Sequence, residues 1–167
     1  MGAQGTRATD AARRAGITFT VHEYDHDPRA SLRAGGQGYA LEAVDALGLD
    51  PARVFKTIVV DVDARPVLAI VPADAEVALK AVAEALGGRR AVISDPVAAE
   101  RATGFVLGGI SPLGTRRPLP TLLDDSAAGH ATIHVSAGRR GLEIELSPAD
   151  LLQLTSSTLA PIARRGG

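Results

Sequence analysis

Val54-Phe55-Lys56-Thr57-Ile58-Val59-Val60-Asp61-Val62 is the stretch from which the fold follows. It is crowded with β-branched and apolar residues and too short for a buried helix, so it reads as a strand. Its apolar residues do not alternate cleanly with polar ones, which predicts that both faces are covered. Asp63-Ala64-Arg65-Pro66 then turns the chain into a second apolar strand, Val67 to Val71.

Working outward, Ala8 to Ala15 reads as a short helix ended by Gly16, and Ile17 to Tyr24 as a strand of alternating polarity. His26 to Gly38 is rich in Pro, Gly and charge and reads as a loop long enough to be functional. Tyr39 to Leu47 is helical and closed by Gly48, and Glu76 to Leu86 is an amphipathic helix stopping at Gly87-Gly88. Asp95-Pro96 pairs a capping residue with a proline at the first helical position, opening a helix to about Thr103. A short strand precedes the Gly/Pro-rich stretch Gly108 to Pro120. Strands at Ala131 to Val135 and Leu142 to Leu146 flank a turn, and Ser147-Pro148 with Asp150 starts a last helix. This order predicts one α/β domain over residues 1–167, with a largely antiparallel or mixed sheet, and argues against a doubly wound parallel fold.

The chain has 167 residues, 46% of them hydrophobic and 22% charged, a composition typical of globular proteins. No run is long enough for a membrane-spanning helix, and Met1 to Gly16 lacks the apolar centre of a secretion signal. There are no cysteines, so thiolate nucleophiles, disulfides and sulfur-based zinc sites are excluded and a cytoplasmic location is expected. A net charge of −1 means that any contact with nucleic acid must be local or helped by a partner. The pairs Arg89-Arg90, Arg116-Arg117, Arg139-Arg140 and Arg164-Arg165 are either such a patch or solvated turn and tail residues.

Two features carry candidate chemistry. Lys56 is one of only two lysines, with Lys80, in a chain that otherwise uses arginine. Burying an ammonium costs several kcal/mol unless a partner or polar cavity receives it. Lys56 is therefore either a pocket cation chosen for its compact charge or a strand-end lysine reaching water. The second feature is Gly108-Gly109-Ile110-Ser111-Pro112-Leu113-Gly114. Its glycines allow close backbone approach to an anionic ligand, although an ordinary irregular connection fits the pattern too.

Other arrangements are weaker. His22 and His26, like His130 and His134, are four apart, but on strands that spacing is roughly 13 Å and does not suit one metal ion. Ser111 is followed by Pro112 and Leu113, so no nucleophile elbow of the Gly-x-Ser-x-Gly type is present, and a Ser-His-Asp triad is rejected.

Four segments in order resemble the YbaK branch of the YbaK/ProX family of aminoacyl-tRNA trans-editing deacylases. They are Val21-His22-Glu23-Tyr24-Asp25-His26-Asp27, Val54-Phe55-Lys56-Thr57, Thr103 to Gly114, and Val135 to Leu146. The resemblance implies a single editing domain with a mixed, partly barrelled sheet, surrounding helices, and no metal or organic cofactor. It implies that Lys56 is the pocket lysine, and that Thr57 follows it as in cysteine-specific members. Gly108 and Pro112 match the ends of the Gly-x-x-x-Pro loop at the carbonyl and ribose end, with Gly109, Ile110 and Ser111 between them. Tyr24, Tyr39, Ser136 and Glu143 match further substrate-binding positions. Tyr39 stands where a phenylalanine is usual, and Glu143 where an aspartate is usual.

The implied partners are the acceptor end of aminoacyl-tRNA and, in a transient complex, prolyl-tRNA synthetase, with no membrane or DNA. The implied reaction is cleavage of the ester in mischarged tRNA, Cys-tRNA(Pro) above all, with the thiol of the bound cysteine attacking its own carbonyl. Lys56 and the N–H groups of Gly108 to Ile110 would then stabilise the developing negative charge. The alternatives are a deacylase for alanine or serine and a non-catalytic module that binds an aminoacyl group or nucleotide.

Overall fold

The computed structural model describes residues 5–29 and 38–165. The expected hairpin forms its centre: β2 (Phe55–Val62) pairs antiparallel with β3 (Arg65–Pro72), Phe55 opposite Pro72 and Val62 opposite Arg65. The turn is tighter than the four residues expected. Asp63 and Ala64 alone make it, both with positive φ (48° and 70°), the signature of a two-residue hairpin matched to strand twist.

Around this hairpin lies a five-stranded sheet in the order β5-β2-β3-β6-β9, with β5 at Ala91–Ile93, β6 at Thr121–Asp124 and β9 at Thr158–Ala160. β3, β6 and β9 are mutually parallel, whereas β2 is antiparallel to both neighbours. A second, antiparallel sheet has the order β1-β8-β7, from β1 (Phe19–Glu23), β7 (Ile133–Ser136) and β8 (Leu142–Leu146). The α/β class and mixed sheet are as expected; the sheets stay open and do not close into a barrel.

The two faces of β2 explain its unbroken apolar run. Phe55 and Val59 join Leu68, Ile70 and Leu123 in a core shared with Ile133, Val135, Ile144 and Leu146 of the second sheet. Val60 and Val62 face the opposite way, with Val67, Ala69 and Val71, against Val82 and Ala83 of α3 (Leu79–Ala85). The remaining helices are α1 (Arg7–Ala15), α2 (Gly38–Leu47), α4 (Pro96–Thr103) and α5 (Pro148–Thr155). Their ends follow the expected chemistry. Gly16 closes α1, the Asp95 carboxylate accepts from the amides of Val97 and Ala98, and Ser147 accepts from that of Asp150.

Two expectations are corrected. The helix expected at Glu76 to Leu86 starts only at Leu79, because Glu76–Val77 form a strand, β4, paired with β10 (Ala163–Arg164). The Ala78 amide donates to the Ile162 carbonyl at 2.7 Å, so long-range pairing overrides local helix preference. The short strand expected immediately before Gly108 is absent, with residues 104–108 in irregular and turn conformation. Phe105 is drawn into the core and the Leu107 amide donates to the Glu100 side chain at 2.8 Å rather than to a ladder. Of the functional loop expected at His26 to Gly38, residues 30–37 lie outside the described residues.

Candidate functional site

A cavity of about 260 Å³ opens where the beginning of β2 meets the second sheet. Six pieces of chain form its wall: Phe55 to Val59 of β2, Tyr39 and Ala40 of α2, Ile93, Ser94, Pro96 and Ala99 around the start of α4, the loop residues Leu107, Gly108 and Ile110, Ser136 of β7, and Glu143 of β8. The volume suits a small group rather than a drug-sized ligand.

Lys56 lies in this wall, half-buried, and its Nζ is 3.5 Å from the Ala73 carbonyl, a long contact for a hydrogen bond. Burial lowers its pKa from the ordinary lysine value, and the carboxylates of Glu76 and Asp74 oppose that shift. Lys56 therefore lines the cavity as a half-buried amine. Beside it, Thr57 is buried and its hydroxyl has no partner among the described residues. An unsatisfied buried hydroxyl costs on the order of 1–3 kcal/mol, so a ligand that supplied a partner would recover that cost. Glu143, in the same cavity wall, is buried, and desolvation pushes its carboxyl up to about 8. A cationic amine entering the cavity would ionise it and bind to it.

The glycine loop is shaped by its neighbours. Gly108 has a φ of 86°, and a Cβ there would lie 2.6 Å from the Tyr39 ring. The Arg140 guanidinium lies 5.1 Å from the Tyr39 ring centroid, and the His26 ring lies 6.0 Å from it. The Gly109 amide donates to the Val106 carbonyl at 2.8 Å, which corrects the expectation that it faces an oxyanion. The amides of Gly108 and Ile110 make no hydrogen bond to another described residue.

This chain matches the family model described as the aminoacyl-tRNA editing domain over residues 38–154, a span that contains every residue lining the cavity. The chain belongs to that family. It is 37% identical, over 75% of its length and 77% of the relative's, to an Enterococcus faecalis protein provisionally named Cys-tRNA(Pro)/Cys-tRNA(Cys) deacylase EbsC. It is 30% identical to a proline–tRNA ligase of Acidithiobacillus ferrooxidans over 66% of this chain, corresponding to 20% of the ligase. A crystal structure of a protein provisionally described as a trans-editing enzyme for prolyl tRNA synthetase superposes with a TM-score of 0.79, at 26% identity and 95% coverage of both chains.

In this editing domain Lys56, Thr57, Tyr39, Gly108, Ile110, Ser136 and Glu143 share one cavity, and four other expected site residues do not line it. Ser111 is fully buried with its hydroxyl accepting from the Leu113 amide at 3.1 Å, so it shapes the loop. Pro112 is buried within the same loop, and Gly109 is pressed against the Arg139 backbone, which a Cβ would meet at 2.7 Å. Tyr24 packs beside Ala43, Val54 and Ala73, where burial first and then the Glu143 and Glu42 carboxylates raise its pKa.

Sequence spacing missed Ile93, Ser94, Pro96 and Ala99, which reach the cavity only because β5 pairs with β2. It also missed that His22 and His134, from different strands, sit with ring centroids 5.2 Å apart. Their neighbour Glu145 accepts from the Thr132 hydroxyl at 2.6 Å, is 2.9 Å from His22 Nε2 and is 3.5 Å from Arg53. His26 does not join His22; it contacts Glu42 at 2.8 Å.

Proposed function

We propose that this editing domain is a trans-editing hydrolase that deacylates mischarged tRNA in the cytoplasm, with Cys-tRNA(Pro) its preferred substrate. The observation that carries the reading is the convergence of Lys56, Glu143 and the unpartnered Thr57 hydroxyl on one cavity small enough to select a small amino acid. The name of the Enterococcus relative supports the choice of cysteine.

In this reading Glu143 takes the α-amino group, Thr57 and the apolar wall take the side chain, and the ester carbonyl lies toward Lys56. No cysteine is available in the chain as nucleophile. The thiol of the substrate attacks its own carbonyl carbon instead. A carbon–sulfur bond forms, the ester bond to the ribose oxygen breaks, and the thiol proton ends on that oxygen. The tRNA leaves, and the amino acid departs as a cyclic thioester that water then opens. The protein supplies orientation and charge stabilisation, from the Lys56 ammonium and the free amides of Gly108 and Ile110. A synthetase site discriminates between side chains of similar size by only one or two orders of magnitude, which is the need such an enzyme meets. With a net charge of −1, the choice of tRNA falls partly to a transient complex with prolyl-tRNA synthetase.

The test is release of labelled amino acid from Cys-tRNA(Pro), Ala-tRNA(Pro) and Ser-tRNA(Pro). Fast release of cysteine alone is expected. Release of alanine or serine at comparable rates would discard the thiol route, and release of none would leave a binding module.

A further inference from the structure

Arg140 stands at the edge of the cavity in an arrangement that the pocket chemistry leaves unexplained. Its side chain is exposed, its guanidinium is stacked on Tyr39 at 5.1 Å from the ring centroid, and its Nε donates to the Leu107 carbonyl at 2.8 Å. Tyr39 and Leu107 both line the cavity. The adjacent Arg139 is engaged differently, donating to the Glu23 carboxylate at 2.7 Å. Arg140 has no carboxylate partner among the described residues, so its two terminal nitrogens carry an unpaired positive fork beside two residues that line the cavity.

An arginine held by stacking and by one Nε hydrogen bond has lost most of its rotamer freedom before any ligand arrives. That is the condition under which a guanidinium binds an anion with little further entropic cost. The planar fork matches phosphate oxygens, which it contacts bidentately. A cavity of about 260 Å³ holds an aminoacyl group and the sugar edge it is esterified to, so the remainder of the nucleotide lies at the rim. The first charged group met on leaving that sugar is its 5′-phosphate.

We infer that Arg140 forms a phosphate-binding site at the cavity mouth, taking the phosphodiester on the 5′ side of the terminal nucleoside and so setting how deep the ester enters. This rests on the aminoacyl-ester reading of the cavity, and the test separates the two.

The probes are 3′-cysteinylamido-3′-deoxyadenosine with and without a 5′-phosphate, the amide replacing the ester so that nothing turns over. Calorimetric titration of the wild type is expected to show at least tenfold tighter binding of the phosphorylated probe. Arg140→Gln, which keeps a planar amide donor and removes the charge, is expected to erase that preference and leave affinity for the unphosphorylated probe unchanged. Arg140→Lys is expected to restore part of it. On Cys-tRNA(Pro), Arg140→Gln should raise KM about tenfold with kcat within twofold, and lower the salt slope of log KM by about one phosphate contact. An undiminished phosphate preference in Arg140→Gln would overturn the proposal while leaving the aminoacyl pocket standing. Equal weakening of both probes would overturn it too, making Arg140 a prop for Tyr39. Failure of the wild type to bind either probe would remove the pocket reading and the proposal with it.

Discussion

The Tyr39 ring lies so close over Gly108 that a single methyl group at 108 would come within 2.6 Å of it. The same glycine has a left-handed φ of 86°, so two independent constraints hold this point of the cavity wall free of a side chain. Gly108→Ala is expected to cost about 1–3 kcal/mol in urea unfolding and to displace Tyr39 from the cavity, lowering deacylation by at least tenfold. Stability and activity both within error of the wild type would mean that the loop is not constrained in this way.

Glu143 sets a function–stability conflict with a definite sign. Its folded pKa of about 8 exceeds the ordinary glutamate value, so the folded state holds the extra proton between roughly pH 4.5 and 8. Stability should therefore fall as pH rises through that window. Glu143→Gln should flatten this dependence and make the protein more stable than wild type near pH 8. It should also abolish recognition of the substrate amine. Thermal melts across that range check the first effect, and KM for Cys-tRNA(Pro) checks the second.

Glu145 has the opposite sign. Hydrogen bonds that it accepts from Thr132, the larger influence, and from His22 hold its carboxyl down at about 2. Its contribution is complete above the ordinary glutamate pKa and is lost as pH falls from about 4.5 toward 2. Glu145→Gln should cost about 2 kcal/mol near neutral pH, with the gap to wild type closing toward pH 3. A gap that stays constant with pH would show that the pairing is not ionic.

The β2–β3 turn carries a correctable strain. Ala64 has a φ of 70°, while the neighbouring Asp63 carboxylate accepts from the Arg89 and Arg90 amides. Ala64→Gly should relieve the left-handed strain and stabilise by about 1 kcal/mol, read as a higher urea midpoint with unchanged slope. A lower midpoint would mean that the added freedom of the unfolded chain outweighs the relief.

The parts of the fold legible in the sequence are those whose physics is local. The β2–β3 hairpin announces itself because both of its faces are apolar, and Gly16, Asp95 and Ser147 mark helix ends by capping chemistry. The parts that escaped depend on distant partners. Glu76–Val77 leave a helical pattern only because β10 lies beside them, and β6 and β9 are too short to signal a parallel pairing. The site divides the same way. Lys56 stood out as an ammonium in an apolar strand, and the glycine loop by its composition. Ile93, Ser94 and Pro96 became cavity wall through β5 docking on β2, while Ser111 and Pro112 were drawn inward by the packing of their own loop.

The most direct measurement is the rate of cysteine release from Cys-tRNA(Pro) by wild type, Lys56→Ala and Lys56→Arg, with folding verified by thermal melts. If Lys56 stabilises the charge developing on the ester, Lys56→Ala should lose on the order of 10²-fold or more in rate while its melt stays cooperative. Lys56→Arg should recover little, because a planar, delocalised guanidinium does not replace a compact ammonium at one point beside the ester. A loss smaller than about threefold in the folded Lys56→Ala protein would contradict the account and return Lys56 to an ordinary strand-end lysine.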